Sequence, residues 1–265
     1  MSIRRIYAIF LRQFFIIRNL PSRVVPYFLY AFLDIVLWGF ITLFLEEVGG
    51  GFNFVSVLLG AVIFWNFLQR VQQGITIPFL EDVWVKNLLN MFASPLTLGE
   101  YIFGFISAAA VTSLFGLGVM LVLSQVLFGF SVLALGVKLV PFLLILFLFG
   151  IVLGIIAASV VLRFGPYAEW FIWPIPAILS PFVGVFYPVA TLPMWMQYIS
   201  QILPPSYVFE GMRAAIDTGA FDMGMFSIAL LLSVVYLWLA YVLFASVYRI
   251  IVRRGLIARF SAEGG

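Results

Sequence analysis

The 265-residue sequence has no cysteine and no histidine. Their absence removes disulfides, thiol chemistry, thiolate and imidazole metal sites and the usual imidazole proton shuttle, and nothing reports a redox compartment. Charge is sparse as well: 9% of residues are Asp, Glu, Lys or Arg, against 65% hydrophobic. A soluble globule of this length would have too little polar surface, so the chain is read as an all-α polytopic membrane protein. No GxxxxGK[ST] loop is present, which excludes nucleotide hydrolysis through a P-loop on this chain. No carboxylate pair stands at an acid–base spacing, and there is no Cys or His nucleophile, so an intramembrane enzyme is not expected. No span-length internal repeat is visible, which leaves the inverted-repeat architecture of many secondary transporters unsupported. The basic-then-apolar N-terminus lacks a small-residue cleavage site and is read as mature protein.

What is present reads as membrane helices. Residues 2–20 place Ile3, Tyr7, Phe10, Phe14 and Ile17 at spacings of three and four, with Arg4, Arg5, Arg12 and Arg18 mostly elsewhere. That pattern predicts an interfacial helix lying in the headgroups of an anionic inner leaflet, ended by Pro21. Six spans follow: Pro26–Phe44, Phe54 to about Gln72, Tyr101–Phe128, Lys138–Leu162, Glu169 to about Phe186, and Phe226–Tyr248. Each is of the order needed to cross roughly 30 Å of hydrocarbon. Glu46, Glu47 and Gly49–Gly51 are expected to form the first loop. Six spans return both termini to one side, which collects every basic residue except Lys138 and Arg213. The Lys and Arg bias makes that side cytoplasmic.

From Ser180 to Arg213 the chain is apolar yet carries Pro181, Pro188, Pro193, Pro204 and Pro205. Interior prolines exclude one continuous helix. Irregular backbone at membrane depth must be buried, line a cavity or sit at an interface. The stretch 181–213 is therefore expected to break near Pro181 and to dip back from the outer face as two short helical pieces. Trp173, Phe182, Phe186, Tyr187, Trp195 and Tyr198 gather around this break as candidates to line an amphipathic path. Asp34 stands near the middle of the first span, where a charge costs about 2.5–3.5 kcal/mol. It has two readings, a substrate or proton site and a hydrogen-bonded packing group. Gly150 and Gly154 form a GxxxG spacing, read as intrachain helix packing.

On the inner side, residues 81–92 place Val85, Leu88, Leu89 and Phe92 on one helical side with Trp84 beside them and Asp82 interrupting. Such a helix suits a groove on a soluble partner, and equally an interfacial role within the fold.

This order of elements resembles the permease subunits of ABC type-2 exporters. The residues that carry the resemblance are FYPVATLPMWMQYISQILPPSYVFEGMR, Phe186–Arg213, with an aromatic–proline pair, a Leu-Pro before an aromatic, then Pro, Tyr, an acidic residue and Arg. In this chain those are Pro188, Pro193, Pro204, Tyr207, Glu210 and Arg213; ASPLTLGE, Ala93–Glu100, matches more loosely. The resemblance implies that 81–92 is a coupling helix seated in a separate ATPase subunit through Asp82, Trp84, Val85, Leu88, Leu89 and Phe92. It further implies two ATPase copies holding ATP and Mg, no cofactor or metal on this chain, a homodimer of permeases, no nucleic-acid partner, and re-entrant helices over residues 186–203 closing the outer exit. The setting it implies is a prokaryotic plasma membrane, the inner one in a Gram-negative cell. Walls of Phe, Trp, Ile and Leu favour amphipathic or lipid-like cargo. Lipid-linked polysaccharide is the alternative cargo, although the basic, tyrosine-rich lead of such members is not found in RNLPSRVVPYFLYAFLDIVLW. A proton-coupled carrier using Asp34 is the alternative from another class.

Overall fold

Proline and glycine divide the chain into helices, and among the described residues no strand forms. The computed structural model describes residues 1–19, 25–49, 54–130, 136–165, 168, 170 and 173–254. In chain order the helices are α1 (Ile3–Asn19), α2 (Val25–Gly49), α3 (Phe54–Trp84), α4 (Leu88–Ala93), α5 (Leu98–Phe128) and α6 (Leu139–Phe164). After these come α7 (Pro174–Val183), a 3₁₀ turn at Val189–Thr191, α8 (Met194–Gln201), α9 (Pro204–Asp217) and α10 (Met223–Arg253). Among the described residues, four stretches are long and apolar enough to cross a membrane: Leu29–Val48, Leu98–Phe128, Gly136–Phe164 and Met223–Arg253.

Helix α3 is the central stave. It packs against α2, α5 and α6, and α6 in turn packs against α10. Leu59, Phe64, Leu68, Val71, Ile75 and Phe79 of α3 are all fully enclosed. At about 46 Å, from 1.5 Å per residue, α3 has spanning length, but Asn66, Gln69, Arg70, Gln72 and Gln73 interrupt its apolar run. Enclosure by three neighbours is what lets a helix carry so many polar groups: Thr76 donates to the Gln72 carbonyl at 2.9 Å, and the Gln72 amide lies 3.4 Å from the Thr76 hydroxyl.

The α3–α6 contact is built on the GxxxG spacing. A Cβ added at Gly150 would lie 2.7 Å from Val71 Cβ, and one at Gly154 would lie 2.9 Å from Ile75 Cβ. The two glycines let the backbones approach, so their role is intrachain packing, as expected from the spacing.

Several boundaries differ from those expected. Helix α2 runs through Glu46 and Glu47 to Gly49, so the two glutamates close a helix instead of opening a loop. Helix α3 does not stop near Gln72. It continues through Pro78 to Trp84, because Ile75, Phe79, Leu80 and Val83 pack inward on both sides of the proline, whose lost bond costs about 3 kcal/mol. Residues 81–92 are consequently not one helix: 81–84 finish α3, Val85–Asn87 form a turn, and α4 begins at Leu88.

Pro181 lies inside α7, and the break comes at Gly184, whose left-handed φ of 66° caps that helix. Helix α7 survives Pro181 because the Ser180 hydroxyl donates to the Ala177 carbonyl at 2.9 Å, the acceptor that the missing proline N–H would have served. Two short helices, α8 and α9, do follow the break. Glu169, the expected start of the fifth span, lies outside the described residues. The bundle thus has an end that carries α1 and α4, and a far end that carries α8 and α9.

Candidate functional site

At the α1 end, Asp82 is 0% exposed, the most enclosed charge among the described residues. Arg12 of α1 grips both of its oxygens: Nη1 donates to Oδ2 at 2.9 Å and Nη2 donates to Oδ1. The Tyr101 hydroxyl, from α5, donates to Oδ2 at 2.7 Å, and the Asn87 side-chain amide reaches Oδ1 at 3.4 Å. A buried carboxylate is tolerable only when paired and hydrogen-bonded, and these donors meet that condition. Hydrogen bonding to Asp82 in turn holds the Arg12 guanidinium above its ordinary pKa.

The turn after α3 explains why Asn87 is there. The Lys86 N–H donates to the Val83 carbonyl at 3.1 Å and the Asn87 N–H to the Asp82 carbonyl at 2.9 Å. Lys86 sits between them at φ 53°. This is the Schellman pattern with lysine in the left-handed position that usually holds glycine.

A second buried carboxylate lies beside the first. Glu100 is 1% exposed and closes a capping box at the start of α5. The Thr97 hydroxyl accepts the Glu100 N–H at 3.3 Å, and Glu100 Oε2 accepts the Thr97 N–H at 2.9 Å. Its other oxygen accepts the Ser2 N–H at 2.6 Å, and Arg5 Nη1 stands 3.4 Å from Oε2.

Arg5 and Arg12 are two helical turns apart, hence on one face of α1, with Ile9 between them. Ile9 seats against Gly104 of α5, where an added Cβ would lie 2.5 Å from Ile9 Cβ. The arginine side of α1 therefore faces protein, while Ile3, Tyr7 and Phe14 are exposed. The expected apolar stripe is present; on the basic side Arg12 is engaged internally, Arg5 reaches Glu100 while remaining exposed, and Arg4 and Arg18 are exposed.

Of the side chains assigned to a coupling surface, Trp84 is 49% and Val85 68% exposed, at the tip of the α3–α4 turn. Asp82 and Leu88 point the other way. Asp82 is consumed by Arg12, and Leu88 belongs to the hydrophobic core, so neither forms part of an open docking face. The side chains of Leu89 and Phe92 lie outside the described residues.

At the far end, Arg213 of α9 holds the proline-rich corner together. Its Nη2 donates to the Gly184 carbonyl at 2.8 Å and to Glu210 Oε1 at 2.9 Å, while Nη1 lies 3.4 Å from the Val185 carbonyl. The same Glu210 oxygen accepts the Val189 N–H at 2.7 Å. The loop between α7 and α8 has no ladder of its own, and these two charged side chains satisfy its backbone. Pro188 and Pro193 cap the 3₁₀ turn and α8, and Pro204 opens α9. The Tyr207 and Tyr187 hydroxyls donate to the Gln201 and Pro181 carbonyls, at 2.7 and 2.9 Å.

Among the described residues the aromatic candidates do not form one cluster. Phe186 stacks on Trp38 of α2 with centroids 4.4 Å apart, and Phe182 meets Trp195 edge-on at 6.0 Å. Tyr198 is exposed, and Trp173 lies beside Gln72, Gln73 and Thr76 of α3. Asp34 is half-buried and accepts from the Asn66 amide at 3.1 Å.

Arg12, Tyr101, Arg5 and Glu100 were not among the site residues expected from sequence. Glu100 had a local signal, the Thr97-x-x-Glu100 pattern of a capping box. The Arg12–Asp82 pair had none, since 70 residues separate its members.

Among known families, the one described as ABC-2 type transporter matches residues 4–216. No curated protein matches the chain.

Proposed function

The chain belongs to the ABC-2 type transporter family and is a multi-pass membrane permease, and from that premise we propose that it is the transmembrane subunit of an ATP-driven exporter. Permeases of this family work with ABC ATPase partners, and the chain is a transport subunit without catalysis of its own. In this reading two ATPase copies supply ATP and Mg, two permeases pair around a path, and the α1 end faces the cytoplasm of a prokaryotic cell. Helix α7 belongs to the fifth crossing, α10 is the sixth, and α3 serves as the second. Helices α8 and α9 close the outer exit, and the cargo is amphipathic or lipid-like.

The observation that carries the reading is the α3–α4 turn. Trp84 and Val85 present apolar surface at a polar tip, flanked by Lys86, Asn87 and Asn90, while Asp82 and Leu88 anchor the turn from inside. An exposed apolar pair on a rigid base suits insertion into a groove of a soluble partner. Because Leu88 is buried, a charge there disturbs the fold; Val85 is the residue that tests docking cleanly. Val85→Asp is expected to leave elution volume and melting temperature unchanged and to lower retention of the ATPase subunit about 10-fold, equivalent to ~1.4 kcal/mol. Undiminished retention, measured by pull-down from membranes holding both subunits, would refute the docking assignment.

A further inference from the structure

We propose that Asp82 and Glu100 are positioning residues that make α1 part of the moving assembly: displacement of the α3–α4 turn is carried through the Arg12–Asp82–Tyr101 cluster to α1. This rests on the exporter reading above.

The argument starts from burial. Asp82 lies in the last turn of α3, three residues before Val85 of the exposed turn, and is enclosed at 0% exposure. Its carboxylate joins four pieces of chain: α3 itself, the turn through Asn87, α1 through Arg12 and α5 through Tyr101. Pulling the turn away from α1 would leave a desolvated carboxylate without its cation, an arrangement a protein interior strongly disfavours. The lower-energy course for a pushed turn is to take Arg12, and with it α1, along. Glu100 makes the linkage stiff. It holds the other end of α1 through Ser2 and Arg5, so α1 is gripped at two points seven residues apart and moves as a rod.

The outward face of that rod is apolar, with Ile3, Tyr7 and Phe14 exposed. Moving α1 therefore shifts a hydrophobic blade within the leaflet surface.

The obvious variant, Asp82→Ala, risks misfolding by taking the buried carboxylate away from Arg12 and Tyr101. The informative one replaces the whole cluster with apolar groups of similar size: Arg12→Met, Asp82→Leu and Tyr101→Phe together. Removing all partners of a buried network leaves far less penalty than removing one, and half-buried Asn87 turns to water. The triple variant should retain wild-type elution, melting temperature and ATPase subunit, and lose transport per ATP hydrolysed by about 10-fold, within the usual range of coupling between sites. A purely structural cluster would not move that ratio.

The absence of native cysteine permits a direct readout. Spin labels at Asn19→Cys and Ser94→Cys should keep one separation in resting and ATP-trapped wild-type complexes while Asn19→Cys shifts relative to Met223→Cys at the far end. In the triple variant the Asn19–Ser94 separation should change on trapping. Wild-type coupling, or an unchanged Asn19–Ser94 separation, in the triple variant overturns this inference alone. A wild-type chain on which no ATPase assembles overturns the exporter reading and this inference with it.

Discussion

Three side chains show how local chemistry sets stability in this permease. Arg12 neutralises Asp82 in a site where the carboxylate has no exposed surface. Arg12→Met alone should cost ~3 kcal/mol or more, because it leaves a buried charge unpaired. The triple apolar variant should recover most of that loss, and chemical unfolding in micelles compares the two. Lys86 holds a left-handed φ of 53° that favours glycine. Lys86→Gly should raise stability by up to about 1 kcal/mol in the same assay. Arg213 spreads its guanidinium over the Gly184 and Val185 carbonyls and Glu210. Arg213→Lys keeps the charge and loses the fork, so about 2 kcal/mol should disappear at the far-end corner. A melting temperature unchanged by that substitution would show that the corner is held by its prolines alone.

Helices were readable from sequence where a local signal existed. Proline spacing announced that residues 181–213 could not be one helix, and α8 and α9 are the result. The exact break was hidden because Ser180 rescues the carbonyl freed by Pro181, a compensation that proline counting ignores. Residues 81–92 have helical periodicity throughout, yet the left-handed Lys86 divides them, and nothing in lysine's own preferences predicts that conformation. Burial of Asp82 was equally hidden, since amphipathic patterning assigns an acidic residue to the solvent face unless its distant partner is known. The GxxxG stripe, by contrast, was legible and is used as expected: Gly150 and Gly154 admit α3. Gly154→Leu should therefore lower stability by ~1–3 kcal/mol through overpacking against Ile75. Gly118→Leu on α5, where an added Cβ meets nothing within 4 Å, is the matched control and should be neutral.

The molecule as a whole ties its two ends to different neighbours. Trp38 of α2 stacks on Phe186, so the first membrane helix is linked to the far-end corner. Phe186→Ala should alter transport while leaving ATPase retention intact, whereas Val85→Asp should lower both in the same paired assay. Similar effects of both variants on both readouts would mean that the two ends are not functionally separate. The grip on α1 also bears on how the chain is made. Every polar tie that fastens this helix reaches a residue 70 to 98 positions later. At about 5–20 residues per second, α1 is synthesised roughly 4–16 s before Glu100 exists to receive it. Helix α1 is thus made well before its partners and settles late, and its arginines meet lipid headgroups before they meet their carboxylates.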